Sequence, residues 1–314
     1  MSHTYCKVTH VILLISIIGS GRVGSSVAFL CMSHALDDVI LVNRNENKAI
    51  GESLDISNAI PHDSKFSIQG TSDYSKIAGS DIVVIAASTG VYTKSRYENI
   101  MAQVTTVRGI AKKIMQHCPH AIVLLISNPL DVLTYVFQKE TLFSRFKVIG
   151  IASSLDSSRF RYLVSEKFSI PQSSVSNALV LGEHGDSMVP IFSRVSVNGY
   201  QLSLMLDTDG KITMTNNVRN YWKKLRAYKN RSQFGIAKQT YDAVESILNL
   251  KEITMPASVV LEGEYGEHDV AMGVPVKINR NGVSEIQILD LDESESLLLR
   301  ESSQRIKDQL RTVL

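Results

Sequence analysis

Five short apolar runs punctuate the first half of the chain: VILLISII at 11–18, DVILVN at 38–43, DIVVIAA at 81–87, AIVLLIS at 121–127 and KVIGIA at 147–152. Their apolarity is continuous rather than alternating, which predicts strands buried on both faces of a parallel sheet. The stretches between them leave room for crossover helices at 21–35, 46–60 and 97–117. A doubly wound α/β unit with right-handed crossovers is therefore expected over residues 1–152.

After residue 152 the pattern changes. Asp156–Phe168 reads as a helix, NALVLG at 177–182 as a strand, the polar region 212–250 as helical, and 255–264 and 269–279 as two more strands. NRNG at 279–282, placed before VSEIQIL, signals a hairpin, because Asn and Gly tolerate the positive φ that such turns need. The closing DESESLLLRESSQRIKDQLRTVL is an amphipathic helix. Residues 153–314 are expected to form a second domain of α+β type, with no repeat or low-complexity linker.

Composition narrows the partners. Lys and Arg total 33 against 31 Asp and Glu, for a formal net charge of +2, and no long block of like charge occurs. Neither nucleic acid nor an anionic membrane is expected to bind. Cys6, Cys31 and Cys118 are odd in number and in no CxxC arrangement. That spacing argues against a disulfide framework and against a zinc site, and fits a reducing, cytoplasmic compartment. VILLISII is too short to span a bilayer. As the core of a signal peptide it lacks a small-x-small cleavage pattern, since it runs straight into GSGRVGSS, so it reads as a buried strand.

GSGRVG, with Gly19, Gly21 and Gly24, directly follows that strand and opens a helix. A lone G-x-G-x-x-G is weak, but strand, turn and helix in this order are the context of a Rossmann dinucleotide site. The first glycine permits the tight turn, the second lets backbone approach a pyrophosphate, and the third allows close packing of helix on strand. The N–H groups of Arg22 and Val23 at the helix start would meet phosphate. Nineteen positions beyond Gly24 stands Asn43, where an acid normally grips the adenine ribose of NAD. An acid there repels a 2′-phosphate. Asn43 does not, and Arg44 adds a cation unless it points to solvent, so the cofactor is NAD or NADP.

Three further motifs carry chemistry. LGEHGDSMVP at 181–190 sets His184 between two acids after a strand, SLDSSRF at 154–160 puts Asp156 and Arg159 on one face of a helix start, and ISNPLD occupies 126–131. Taken singly, His184 could be a satisfied loop histidine and Asp156 a helix cap. Reduction of a 2-keto acid, however, needs a proton donor beside the carbonyl oxygen, and histidine titrates near working pH.

With the glycine loop, these motifs in this order resemble the lactate and malate dehydrogenase family over nearly the whole chain. Among its members the chain looks most like the lactate-dehydrogenase-like malate dehydrogenases of archaea and bacteria. The resemblance implies His184 as acid/base and Asp156 as the carboxylate that fixes its tautomer. It further implies Arg159 as the fork on the substrate carboxylate, Asn128 as a donor near the nicotinamide, Ser232 on the substrate side and Gly90 on the cofactor side. Malate oxidation in the tricarboxylic acid cycle, in a homodimer or homotetramer, is the implied setting, with the helix 21–35 and region 156–168 at the dimer contact.

The same resemblance makes STGVYTKSRYEN at 88–99 part of a lid. Gap-free alignment from SRYEN onward gives Arg96 the role of polarising the reacting carbonyl. The loop is about three residues shorter than the family pattern G-V-P-R-K-x-G-M-S-R. The selecting position, arginine in malate and glutamine in lactate dehydrogenases, is Thr93, with Lys94 as the nearest cation. Malate dehydrogenase is the first expectation. A dehydrogenase of another 2-hydroxy acid such as lactate, or a catalytically weak dinucleotide-binding relative, are the alternatives.

Overall fold

The computed structural model describes residues 13–89, 100–249 and 251–314. Six strands run parallel and make up one side of a nine-stranded sheet: β1 (Leu14–Ile18), β2 (Asp38–Val42), β3 (Ile68–Thr71), β4 (Ile82–Ile85), β5 (Ile122–Leu125) and β6 (Val148–Gly150). Their spatial order is β3-β2-β1-β4-β5-β6. That is the order of the Rossmann fold, whose sequence reverses between β1 and β4 and opens a crevice at their carboxyl ends.

Five of the six strands coincide with the five apolar runs. β3 does not stand out in the sequence because IQGT is short and half polar, and it occupies the sheet edge. The strand leading to the lid is therefore the fourth in the chain, and Asn128 follows the fifth.

Crossovers are made by α1 (Arg22–Ser33), α2 (Glu46–Ser57), α3 (Ile100–His117) and α4 (Leu130–Thr141). α5 (Ser153–Phe168) follows β6. The first three match the stretches read as helices, apart from residues 97–99, which lie outside the described residues. α4 is buried without a break from Leu130 to Phe137, polar Asp131 and Thr134 included, and no stretch read as a helix covers it.

The second half adds short strands β7 (Val175–Ser176), β8 (Val180–Leu181), β9 (Val189–Pro190), β10 (Ser196–Val197) and β11 (Tyr200–Gln201). NALVLG thus shrinks to a two-residue strand. The polar region 212–250 is not one helix. After α6 (Leu202–Met205) come α7 (Thr208–Arg219), α8 (Tyr221–Arg226) and α9 (Phe234–Leu248).

β12 (Ile253–Glu262) then pairs antiparallel with β6, and β13 (His268–Asn279) and β14 (Gly282–Ile286) continue the same sheet. Asn279 pairs with Gly282 across the turn, and Gly282 carries the positive φ, 95°. α10 (Glu293–Arg311) closes the chain. Among the described residues, no helix is long and apolar enough to cross a membrane, and no cluster of His, Cys, Asp and Glu could hold a metal ion.

Two apolar clusters divide the interior. The larger contains Ile15, Ile17, Val83, Val84 and Leu124 of the parallel sheet, and the smaller gathers Phe160 and Val164 of α5 with Val180, Met188, Val195 and Met214. α5 belongs to both, since Leu155 packs in the larger. Asp156 and Arg159 consequently sit where the two cores meet.

Gly70 of β3 leaves the sheet no room for a side chain, because a Cβ there would lie 2.2 Å from the Ala49 carbonyl oxygen of α2. Backbone cannot yield as a flexible side chain can, and overpacking costs about 1–3 kcal/mol. Gly70→Ala should therefore lower the thermal unfolding midpoint by several degrees, with catalysis at 25 °C little changed.

Candidate active site

At the switch point the glycine loop presses against the segment leaving β4. Gly19 has φ 111°, and a Cβ on it would sit 2.7 Å from the Ala86 carbonyl carbon. A Cβ on Gly24 would lie 1.9 Å from the Gly19 carbonyl oxygen. Packing within the chain alone therefore demands both glycines. Gly21 is different: a Cβ there would meet nothing within 4 Å. It caps α1 with no side-chain hydrogen bond, so the helix start that carries the N–H groups of Arg22 and Val23 is left open beside Gly21. A pyrophosphate fits such a cradle, because helix N-terminal N–H groups lack internal partners and carry partial positive charge.

At the end of β2, Asn43 uses both ends of its amide. Nδ2 donates to Ser20 Oγ at 2.7 Å, and Oδ1 accepts the Asn45 N–H at 3.0 Å. It thereby ties β2 to the glycine loop. Arg44 does not simply extend into solvent, because Nη2 reaches across the switch point and donates to the Thr89 carbonyl at 3.3 Å. Gly90, Thr93, Lys94 and Arg96 lie outside the described residues.

The other side of the crevice is built on α5. Asp156, 1% exposed, lies in the first turn rather than at the cap, which is Ala152. Its two oxygens take different partners: Oδ2 meets His184 Nδ1 at 2.5 Å and Oδ1 accepts from Arg159 Nη1 at 3.0 Å. Because a carboxylate only accepts, the Nδ1 of His184 carries the proton in this contact.

Arg159, 7% exposed, also donates through Nη2 to Ser232 Oγ at 3.2 Å, and its guanidinium lies 5.3 Å from the Tyr221 ring centre. The structure thus brings together His184, Asp156, Arg159 and Ser232 as one bonded chain. Asn128 stands exposed at the carboxyl end of β5, three residues before Asp131.

Asp131, whose role the sequence did not disclose, positions the histidine loop. It is 4% exposed, its Oδ2 accepts the backbone N–H of His184 at 2.7 Å, and its Oδ1 accepts from Ser258 of β12 at 2.7 Å. Behind the loop, buried Glu183 accepts from Ser187 and from Gln309 of α10, while Ser302 of α10 accepts the Glu183 N–H at 2.8 Å. A Cβ on Gly182 would lie 2.5 Å from Ser302 Oγ, so the loop is pressed onto α10 as well. In sequence, Asp131 looks like an ordinary acid in the first turn of a helix, where the dipole favours negative charge. Nothing local says that it faces another loop.

Burial pushes the Asp131 carboxyl up from 3.8 to about 7, more than its two hydrogen bonds lower it, and Glu183 and Asp156 add repulsion. The folded chain therefore holds a proton that the unfolded chain releases. The stability this group contributes is complete below pH 3.8, is lost as pH rises toward about 7, and does not change further above that. Asp131→Asn keeps an acceptor for the His184 N–H without the titration, and its amide N–H replaces the Oδ1 acceptor by donating to the Ser258 hydroxyl, which turns round to accept. Its unfolding midpoint should therefore gain several degrees on the parent between pH 5 and pH 8. Asp131→Ala should be less stable at both, by about 1–3 kcal/mol for the orphaned donors. Thermal melts at the two pH values check both.

Known proteins resemble this chain over nearly their whole length. A family model described as the lactate/malate dehydrogenase NAD binding domain matches residues 13–150, and one described as the lactate/malate dehydrogenase alpha/beta C-terminal domain matches 153–314. L-lactate dehydrogenase 1 of Bacillus cereus is 34% identical over 308 residues, covering 95% of this chain and 97% of that protein. Malate dehydrogenase of Aeropyrum pernix is 34% identical over 305 residues, covering 96% and 98%.

Among solved structures, the Cryptosporidium parvum lactate dehydrogenase with lactic acid and nicotinamide adenine dinucleotide superposes with a TM-score of 0.92 at 34% identity, covering 96% of this chain and 98% of that one. The Aeropyrum pernix malate dehydrogenase gives 0.89 at 33%, with the same coverage. With both halves matched and the fold reproduced, the chain belongs to the lactate/malate dehydrogenase family.

Proposed function

We propose that the protein is a malate dehydrogenase that interconverts oxaloacetate and malate, and that the bonded chain His184–Asp156–Arg159 is its catalytic core. That chain is the observation that carries the reading. A nicotinamide dinucleotide bound along the glycine loop would supply the hydride. With Nδ1–H held on Asp156, the nitrogen that exchanges a proton with the substrate oxygen is Nε2, and Asp156 stabilises the imidazolium whenever the ring is doubly protonated.

Arg159 holds the substrate carboxylate in its planar fork, in a plane set by Ser232 on one side and Tyr221 on the other. Asn128 donates to the reacting oxygen, and by family resemblance Arg96 polarises the same bond. For the second carboxylate, Lys94 is the nearest cation in the sequence and favours a dianion over pyruvate, although the relatives include both lactate and malate dehydrogenases. Self-association through α1 is part of the reading, since Phe29 on its outer face is 45% exposed.

His184→Asn should lower kcat with oxaloacetate by about 10² to 10⁴-fold while NADH still binds, because the positioned acid is lost and the dinucleotide cradle is not touched. Initial rates with oxaloacetate and pyruvate test the rest. Faster turnover of pyruvate would make the chain a lactate dehydrogenase, and turnover of neither would leave a dinucleotide-binding relative.

Asn43 carries no charge to repel a 2′-phosphate, and Arg44 lies close by. NADPH should therefore serve at an efficiency comparable to NADH, and Asn43→Asp should restore a strong preference for NADH. A hundredfold rejection of NADPH by the unmodified protein would overturn this.

A further inference from the structure

Between Arg219 and Arg231 the chain reads RNYWKKLRAYKNR, with six cations and no carboxylate. The net charge of +2 is thus +6 in this segment and −4 in the remainder. An ordinary solvated face mixes both signs. Here Lys223, Lys224 and Arg226 are exposed, and none of them pairs with an acid among the described residues. Aromatic rings hold several of these cations in place. Lys223 Nζ and Arg226 Cζ lie 5.5 Å and 4.7 Å from the Trp222 ring centre, and Lys229 Nζ lies 4.0 Å from that of Phe234. Such cation–π seats fix a charge without neutralising it.

The segment is also anchored at both ends to one side chain. Tyr221 at its start lies under the Arg159 guanidinium, and Ser232, just past its end, accepts from the same guanidinium. Between the two anchors, α8 carries Lys223, Lys224 and Arg226 exposed, with Lys229 just beyond it, beside the buried arginine read as the substrate clamp. Their placement suits neither the interior nor a fixed contact with a bound molecule. It suits a field at the entrance.

We propose that Lys223, Lys224, Arg226 and Lys229 form an electrostatic collar that draws dianionic 2-keto acids into the site and so raises specificity through association. The proposal rests on the reading of Arg159 as the substrate clamp. Clefts lined by charge of one sign can raise on-rates by about 10 to 10³-fold, and the effect weakens with ionic strength. The Debye length falls from about 30 Å at 0.01 M salt to 3 Å at 1 M, so a collar several ångströms from the binding position is screened at high salt while a direct contact is not.

The test uses the full-length protein with Lys223→Gln, Lys224→Gln and Arg226→Gln combined, after a thermal melt shows that it folds as the parent does. With saturating NADH, kcat/KM for oxaloacetate and pyruvate is measured from about 0.01 M to 1 M sodium chloride. The variant should lose severalfold or more in kcat/KM for oxaloacetate at low salt, less for singly charged pyruvate, with kcat unchanged. The two proteins should converge at high salt. An equal loss on both substrates, a loss that persists at 1 M salt, or an unaltered salt dependence would each overturn the collar.

If only pyruvate turns over, the malate reading fails separately. The collar is then judged on pyruvate, whose salt dependence must still flatten in the variant. A variant that melts early is replaced by the single Lys224→Gln, which touches neither ring and must show the same trend at smaller size.

Discussion

Asp156 is an acidic side chain with no access to water, and the site is arranged around meeting its charge. Burying an ionised carboxylate costs several kcal/mol unless geometry and hydrogen bonding compensate. Arg159 on one oxygen and His184 on the other supply that compensation. Each partner is fixed in turn by what it offers Asp156: the imidazole in one tautomer and the guanidinium in one plane. A single buried charge therefore sets the orientation of both groups that would meet a substrate.

A second buried aspartate shows why the partners matter. Asp131 is as enclosed as Asp156, but it is met by a backbone N–H and a hydroxyl rather than by a guanidinium and an imidazole. Neutral donors do not offset desolvation, and its carboxyl rises to about 7. Its part is mechanical, since it joins the histidine loop to the first turn of α4 and, through Ser258, to β12. The loop is thus held from α4 and β12 in front and from α10 behind, which keeps the histidine side chain at the α5 carboxylate.

Much of this was legible in the chain. Continuous apolar runs marked five of the six parallel strands because burial on both faces leaves no polar alternation. The glycine loop was legible because close approach of backbone leaves no other residue type, as Gly19 and Gly24 show. His184, Asp156 and Arg159 were legible as ordered motifs. β3 and α4 were not, the one because a short edge strand needs little apolarity, the other because polar Asp131 and Thr134 are buried along with its apolar residues, so polarity there does not mark an exposed face.

The sequence by itself determined the architecture of the first half, the glycine turn and the residue types of the His184–Asp156 pair, because these depend on local periodicity and on steric limits at single positions. Only the tertiary structure decided that β12 to β14 extend the first sheet, that Asp131 holds the His184 backbone, and that α10 backs the same loop. It alone also placed a run of cations between residues 219 and 231, most of it on α8, between two contacts with Arg159. Those contacts join residues as far as 119 positions apart. Their energies depend on which groups share a desolvated space, and no local pattern in a chain encodes that.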